Sequence, residues 1–185
     1  TFNKLFSNAM LRYGLQSCYE KILIPMLNRV GMFWVTNHLN PAQEHFVSNL
    51  VKQKLHAAID MLPPAKSTEK VCLLFLPQNE SHEIGLLMSK YFLRNAGRNV
   101  IYLGQQIPFI NLKSTVEQTK PDQLLFFMIQ MHPIEHMQAY LEKVSDEFRN
   151  QQIFVSGFPY ILSKLQIPKN IIWIESPDDL HQILK

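Results

Sequence analysis

At 185 residues, 46% apolar and 18% charged, the chain is long enough for one large domain or two small ones with packed cores. Lys and Arg number 18 against 15 Asp and Glu, and the formal charge of +3 is too mild for the chain itself to grip nucleic acid. Apolar runs break well short of the ~20 residues a membrane span needs. Cys18 and Cys72 suit a reducing, cytoplasmic setting and are too few for a cysteine zinc cluster. The chain opens on Thr1 without a secretory pattern, and a further segment is expected upstream.

Residues 1–62 are expected to form a helical bundle. Phe2, Leu5, Phe6, Ala9, Met10 and Tyr13 share one helical face, and Gly14 is a natural stop. A second pattern runs from Ser17 through Ile22, Leu23, Met26, Leu27 and Val30. Pro25 predicts a break or kink in it, giving a short helix and then another that ends near Val35. Asn40-Pro41 is a start signal, which Gln43 can complete as a capping box. The next helix carries Val47, Leu50, Val51, Leu55, Ala58, Ile59 and Leu62 on its apolar side.

Residues 63–69, opening on Pro63-Pro64, read as a linker, and the periodicity then changes. Short apolar runs at 71–76, 100–103, 124–129, 153–155 and 171–174 read as strands. Helical segments are expected at 84–93, 112–118, 133–148 and 178–184, with a short helix between strands four and five. Gly104 is taken as the end of strand two. Such alternation predicts a Rossmann- or flavodoxin-like five-stranded parallel sheet over residues 70–185, an α/β fold behind an all-α part. Ligands of such sheets bind beyond the carboxyl ends of the strands, at the topological switch point.

The loop after strand one reads Glu80-Ser81-His82-Glu83-Ile84-Gly85. His82 sits where a ligand-facing side chain belongs, Glu80 can fix its tautomer, and Gly85 allows close approach at the helix start. From spacing alone, the same residues read first as a polar loop that caps a helix, with His82 in solvent. Trp34, nine residues and Glu44-His45 form a second constellation, able to lie at one end of the bundle. Its ordinary reading is a core Trp, a Glu favoured by the helix dipole and a surface His. His132 and His136 lie four apart, but Pro133 stands between them and the sequence offers no clear third ligand. The chain carries no Ser-His-Asp set, P-loop or Gly-x-Gly-x-x-Gly.

In this order, bundle, Trp34-x9-Glu44-His45, linker, strand, Glu80-x-His82-x-x-Gly85 and alternating sheet, the whole chain resembles the C-terminal sensory region of cobalamin-binding MerR-type transcriptional regulators, the CarH/LitR-like photoreceptor family. Tyr102-Leu103-Gly104 with Ile107-Pro108 resembles the family's second strand and loop. The resemblance implies that His82 is the lower axial ligand of cobalt in adenosylcobalamin, displacing the cofactor's own benzimidazole. It implies that Trp34 covers the upper face, Glu44 contacts the adenosyl group, and His45 can take the upper cobalt position after light breaks the cobalt–carbon bond. It also implies a homo-oligomer, no enzymatic activity, no membrane contact, and DNA contact only through an upstream winged-helix part.

Two positions depart from the family's pattern. Phe127 stands on strand three where a small hydroxyl residue is usual, and Ser156-Gly157 replaces a glycine pair after strand four. Both lie where the nucleotide tail is expected to thread, and the bulk of Phe127 is expected to hinder it. Two rival readings stay open: a corrinoid carrier of a methyltransferase system, and the same fold without cofactor as an oligomerisation or protein-binding module.

Overall fold

In a computed structural model that describes residues 2–27, 29, 41–65, 70–129 and 133–184, the described residues before 61 are almost all helical. The chain divides into two compact units, Thr1–His56 and Ala57–Lys185. In the first, α1 (Phe2–Tyr13) is followed by α2 (Leu15–Cys18), which continues as a π turn over Tyr19–Leu23. Residues 24–27 remain helical. The expected break at Pro25 is therefore absent. The π turn explains why: the Ile24 N–H reaches back to the Tyr19 carbonyl, and this wider turn absorbs the proline, which has no N–H and crowds an α turn.

Among the described residues of this unit, Phe6, Leu15, Cys18, Leu23, Val51 and Leu55 are buried. On α1 the buried stripe is narrower than the apolar spacing suggests, because Leu5 and Tyr13 are exposed. The long helix α3 (Pro41–Asp60) turns Val51, Leu55 and Ile59 inward at four-residue spacing. No strand occurs among the described residues before 71.

The second unit holds five parallel strands: β1 (Val71–Pro77), β2 (Asn99–Ile107), β3 (Gln123–Met128), β4 (Gln152–Gly157) and β5 (Ile171–Ile174). Their order in the sheet is β2-β1-β3-β4-β5. The central strands β1 and β3 are almost continuously buried, as expected of parallel strands covered on both faces. Between strands run α4 (Ile84–Asn95), α5 (Phe109–Thr119), α6 (Ile134–Glu147) and α7 (Pro159–Leu162), and a 3-10 helix (Pro177–Leu184) ends the fold. One core packs Leu73, Phe75, Leu124 and Phe126 with Leu112 of α5 and Leu141 of α6. The other packs Leu74, Leu76, Leu125 and Phe127 with Leu86 of α4 and Ile183 of the last helix.

β2 does not stop at Gly104. Leu74 pairs with Tyr102, Phe75 with Gly104 and Pro77 with Ile107, so β2 carries an extra residue at two places and bulges. Gly104 at φ 82° and Gln106 at φ 55° supply the left-handed backbone that these bulges require. The glycine marks a bulge within the strand rather than its end.

Candidate functional site

β1 moves to β2 on one side and its other neighbour is β3, so the switch point lies beyond the carboxyl ends of β1 and β3. The loop that carries the histidine leaves β1 there. Asn79 turns it with φ 69°, and the Glu80 N–H donates to the Pro77 carbonyl at 3.0 Å. The Glu80 carboxylate is then buried, at 3% exposure. Its Oε1 accepts from the backbone N–H of Ser81 at 2.8 Å and of His82 at 2.9 Å, and lies 2.6 Å from His82 Nδ1. Its Oε2 accepts from the Ile129 N–H, just past β3, at 2.7 Å. Backbone donors thus compensate the buried charge, and the carboxylate ties the β1 loop to the end of β3.

A carboxylate accepts, so Nδ1 of His82 carries the proton. In the neutral ring the lone pair is then on Nε2, while the side chain is 53% exposed. An imidazole oriented by a buried carboxylate is an arrangement common among metal ligands. A single imidazole nitrogen presented in this way would suit a metal that brings its other ligands with it. Among the described residues no cluster of three or more His, Cys, Asp or Glu is arranged to hold a metal ion. A corrin brings four nitrogen donors of its own and asks the protein for one.

Glu83 was not singled out from the sequence. It stands at the N-cap position of α4, accepts the Tyr102 hydroxyl at 2.7 Å, and accepts a second bond from Gln105 Nε2. Burial first, and the Glu83 carboxylate second, push the Tyr102 hydroxyl pKa upward, so it remains a donor. Lys90 Nζ lies 4.5 Å from the centre of the Tyr102 ring. Burial lowers the Lys90 pKa, opposed in part by Glu83. The β2 bulge at Gly104 lies between Tyr102 and Gln105, and the Gln106 N–H donates to the Glu80 carbonyl at 3.3 Å. Two polar residues at the carboxyl end of a predicted strand were the available signal.

Gly85 lies on the first turn of α4. A Cβ built on it would meet Phe127 Cε1 at 2.6 Å, Cδ1 at 3.1 Å and Cζ at 3.3 Å. The Phe127 ring, 8% exposed, therefore fills the space the glycine leaves. Phe127 pairs with Ser156 and Met128 with Gly157. The Ser156 hydroxyl donates to the Ile174 carbonyl at 2.9 Å. A Cβ on Gly157 would come within 2.2 Å of the Met128 carbonyl oxygen, so the end of β4 needs glycine there. The space beside Gly85 is filled by the Phe127 ring and leaves no room for a bulky group.

Glu44 and His45 occupy the first turn of α3, where His45 Nδ1 lies 2.9 Å from Glu44 Oε2. His45 is mostly exposed and Glu44 less so. Trp34 and His132 lie outside the described residues. Glu80, His82, Gly85 and Phe127 come together in the sheet unit with Gly104 beside Glu83, and Ser156-Gly157 line the next strand end.

Residues 1–59 match the family described as B12 binding domain. Over 104 residues the chain is 35% identical to the HTH-type transcriptional repressor CarH of Myxococcus xanthus, covering 56% of this chain and 34% of that protein. Over 139 residues it is 27% identical to the HTH-type transcriptional repressor CarA of the same organism, covering 75% of this chain and 46% of that one. Among solved structures it resembles the monomethylamine corrinoid protein of Methanosarcina barkeri, with a TM-score of 0.76 at 13% identity over 98% of this chain and 88% of that one. A cobalamin-binding protein of Desulfitobacterium hafniense superposes with a TM-score of 0.53 at 16% identity, over 99% and 89% of the two chains. At these identities the structural likeness speaks for the fold alone.

The helical part followed by a parallel sheet is the fold of corrinoid proteins, and its first 59 residues carry the B12-binding-domain pattern. Over part of its length the chain is similar to two HTH-type transcriptional repressors, and its helical part matches the B12 binding domain family. It spans less than half of either repressor. Among the described residues no helix is long and apolar enough to cross a membrane.

Proposed function

We propose that the chain is the cobalamin-binding sensory and oligomerisation region of a MerR-type transcriptional regulator, a sensor rather than an enzyme, which senses light through adenosylcobalamin. The observation that carries this reading is His82, held through Nδ1 by the buried Glu80 at the switch point of the sheet. His82 Nε2 would be the lower axial ligand, with Glu80 setting its tautomer and direction. Trp34, Glu44 and His45 would serve the upper face of the ring. Bound adenosylcobalamin would supply a light-cleavable cobalt–carbon bond. The residues here hold, orient and shield. The output would be a change in contacts between copies of the region, passed to an upstream DNA-binding part.

Aquacobalamin added to the protein is expected to shift its visible absorption bands. His82→Ala is expected to weaken that uptake by about tenfold or more. Its thermal midpoint should barely move, because the imidazole is half exposed. Equal uptake with identical spectra for the two proteins would sink the assignment.

A further inference from the structure

We infer that this chain discriminates against the nucleotide tail of cobalamin and prefers a corrinoid that lacks it, with Phe127 as the residue that decides. The inference rests on the proposed role of His82 and goes beyond it. In cobalamin the nucleotide is tethered to the ring's edge and carries the base that occupies the lower cobalt position. If a histidine takes that position, the base must leave, and its tail can depart only on the histidine's side of the ring. The tail then needs a groove in the protein close to His82.

Gly85 marks the place where such a groove would have to open. It stands three positions after His82, on the turn of α4 that faces β3, and its missing Cβ leaves room between helix and strand. That room is already taken. The edge of the Phe127 ring lies so close that even a methyl group on Gly85 would be only 2.6 Å from Cε1. The ring is nearly buried, in one core with Leu76, Leu86 and Leu125. Alongside it on β4 stands Ser156, whose hydroxyl is bonded to the Ile174 carbonyl of β5. An interior packed this closely has no slack for a nucleotide. Admitting one means turning the ring out of the core, which forfeits burial equivalent to about one to two orders of magnitude in affinity. A tail-less ring makes no such demand, and His82 remains half exposed to receive it.

The test is a pair of visible-absorption titrations on the full chain, one with diaquacobinamide, which has no nucleotide, and one with aquacobalamin. Wild type is expected to bind cobinamide about tenfold or more tighter than cobalamin. Phe127→Ser should bring cobalamin level with cobinamide, and Phe127→Leu, which keeps an apolar core, should move part of the way. Thermal midpoints of both variants show that they are folded. Equal affinity of wild type for the two ligands overturns the inference and leaves the His82 reading standing. A wild type silent to both ligands, beside a Phe127→Ser protein that takes up cobalamin, overturns the preference. No response from any of the proteins to either ligand overturns the proposed function together with the inference.

Discussion

Glu80 supports more of the site than the histidine beside it. Its two oxygens serve three backbone N–H groups and one imidazole, drawn from the β1 loop and from the end of β3. Glu80→Ala leaves buried donors without acceptors and is expected to lower stability by about 2–4 kcal/mol in urea unfolding. Glu80→Gln keeps the volume but offers an amide N–H₂ where an acceptor is needed, so either Ile129 or His82 loses its partner. With Ala there, no carboxylate faces Nδ1, and nitrogen NMR of the imidazole should show a mixture of tautomers, where wild type is expected to show the Nδ1–H form. A single unchanged tautomer in the variant would mean that Glu80 does not orient the ring. The Glu80–His82 pair was legible in the sequence, because its partners are two residues apart. Glu83 with Tyr102 and Gln105 was not, because those partners meet only once β1 and β2 pair, about twenty residues apart along the chain.

Elements were legible where their signal is local. All five strands announce themselves as short apolar runs, and the helices between them by spacing and by Gly or Pro at their ends. Two glycines show where local signals stop. Gly104 reads as a strand end in sequence but is a bulge with φ 82°, since a glycine that ends pairing and one that bends it look the same in one chain. Gly157 sits in a strand that looks ordinary, and only the neighbouring Met128 carbonyl reveals why it must be glycine. The two respond differently to the same change. A Cβ on Gly104 meets its nearest atoms at an ordinary 3.6 Å, so Gly104→Ala carries only backbone strain, about 1–2 kcal/mol. Gly157→Ala drives a methyl group into backbone that cannot turn aside, and β3 and β4 must separate at their carboxyl ends. Urea unfolding should therefore rank Gly157→Ala as clearly the more damaging. The opposite order would show that the bulge, rather than the strand end, is the tighter constraint.

At the scale of the molecule, the second unit contains what it needs to stand alone. Both of its cores are built from residues between Cys72 and Leu184, and the sheet is covered on one face by α5, α6 and α7 and on the other by α4 and the last helix. About 120 residues is enough chain to bury such a two-sided core. The Pro63 carbonyl accepts from Arg94 Nη2 at 3.0 Å, so the chain just before the sheet is already fastened to α4. A cut immediately before Pro63 keeps that bond. Residues 63–185 made separately are expected to fold, with a cooperative thermal transition by circular dichroism and dispersed amide signals. They should also retain the Nδ1–H tautomer of His82, since Glu80 and its backbone donors all lie within the piece. A broad, non-cooperative melt would show that the helical unit contributes to the sheet's core. A cooperative melt with a lost tautomer would show instead that the fold is independent but the site is not.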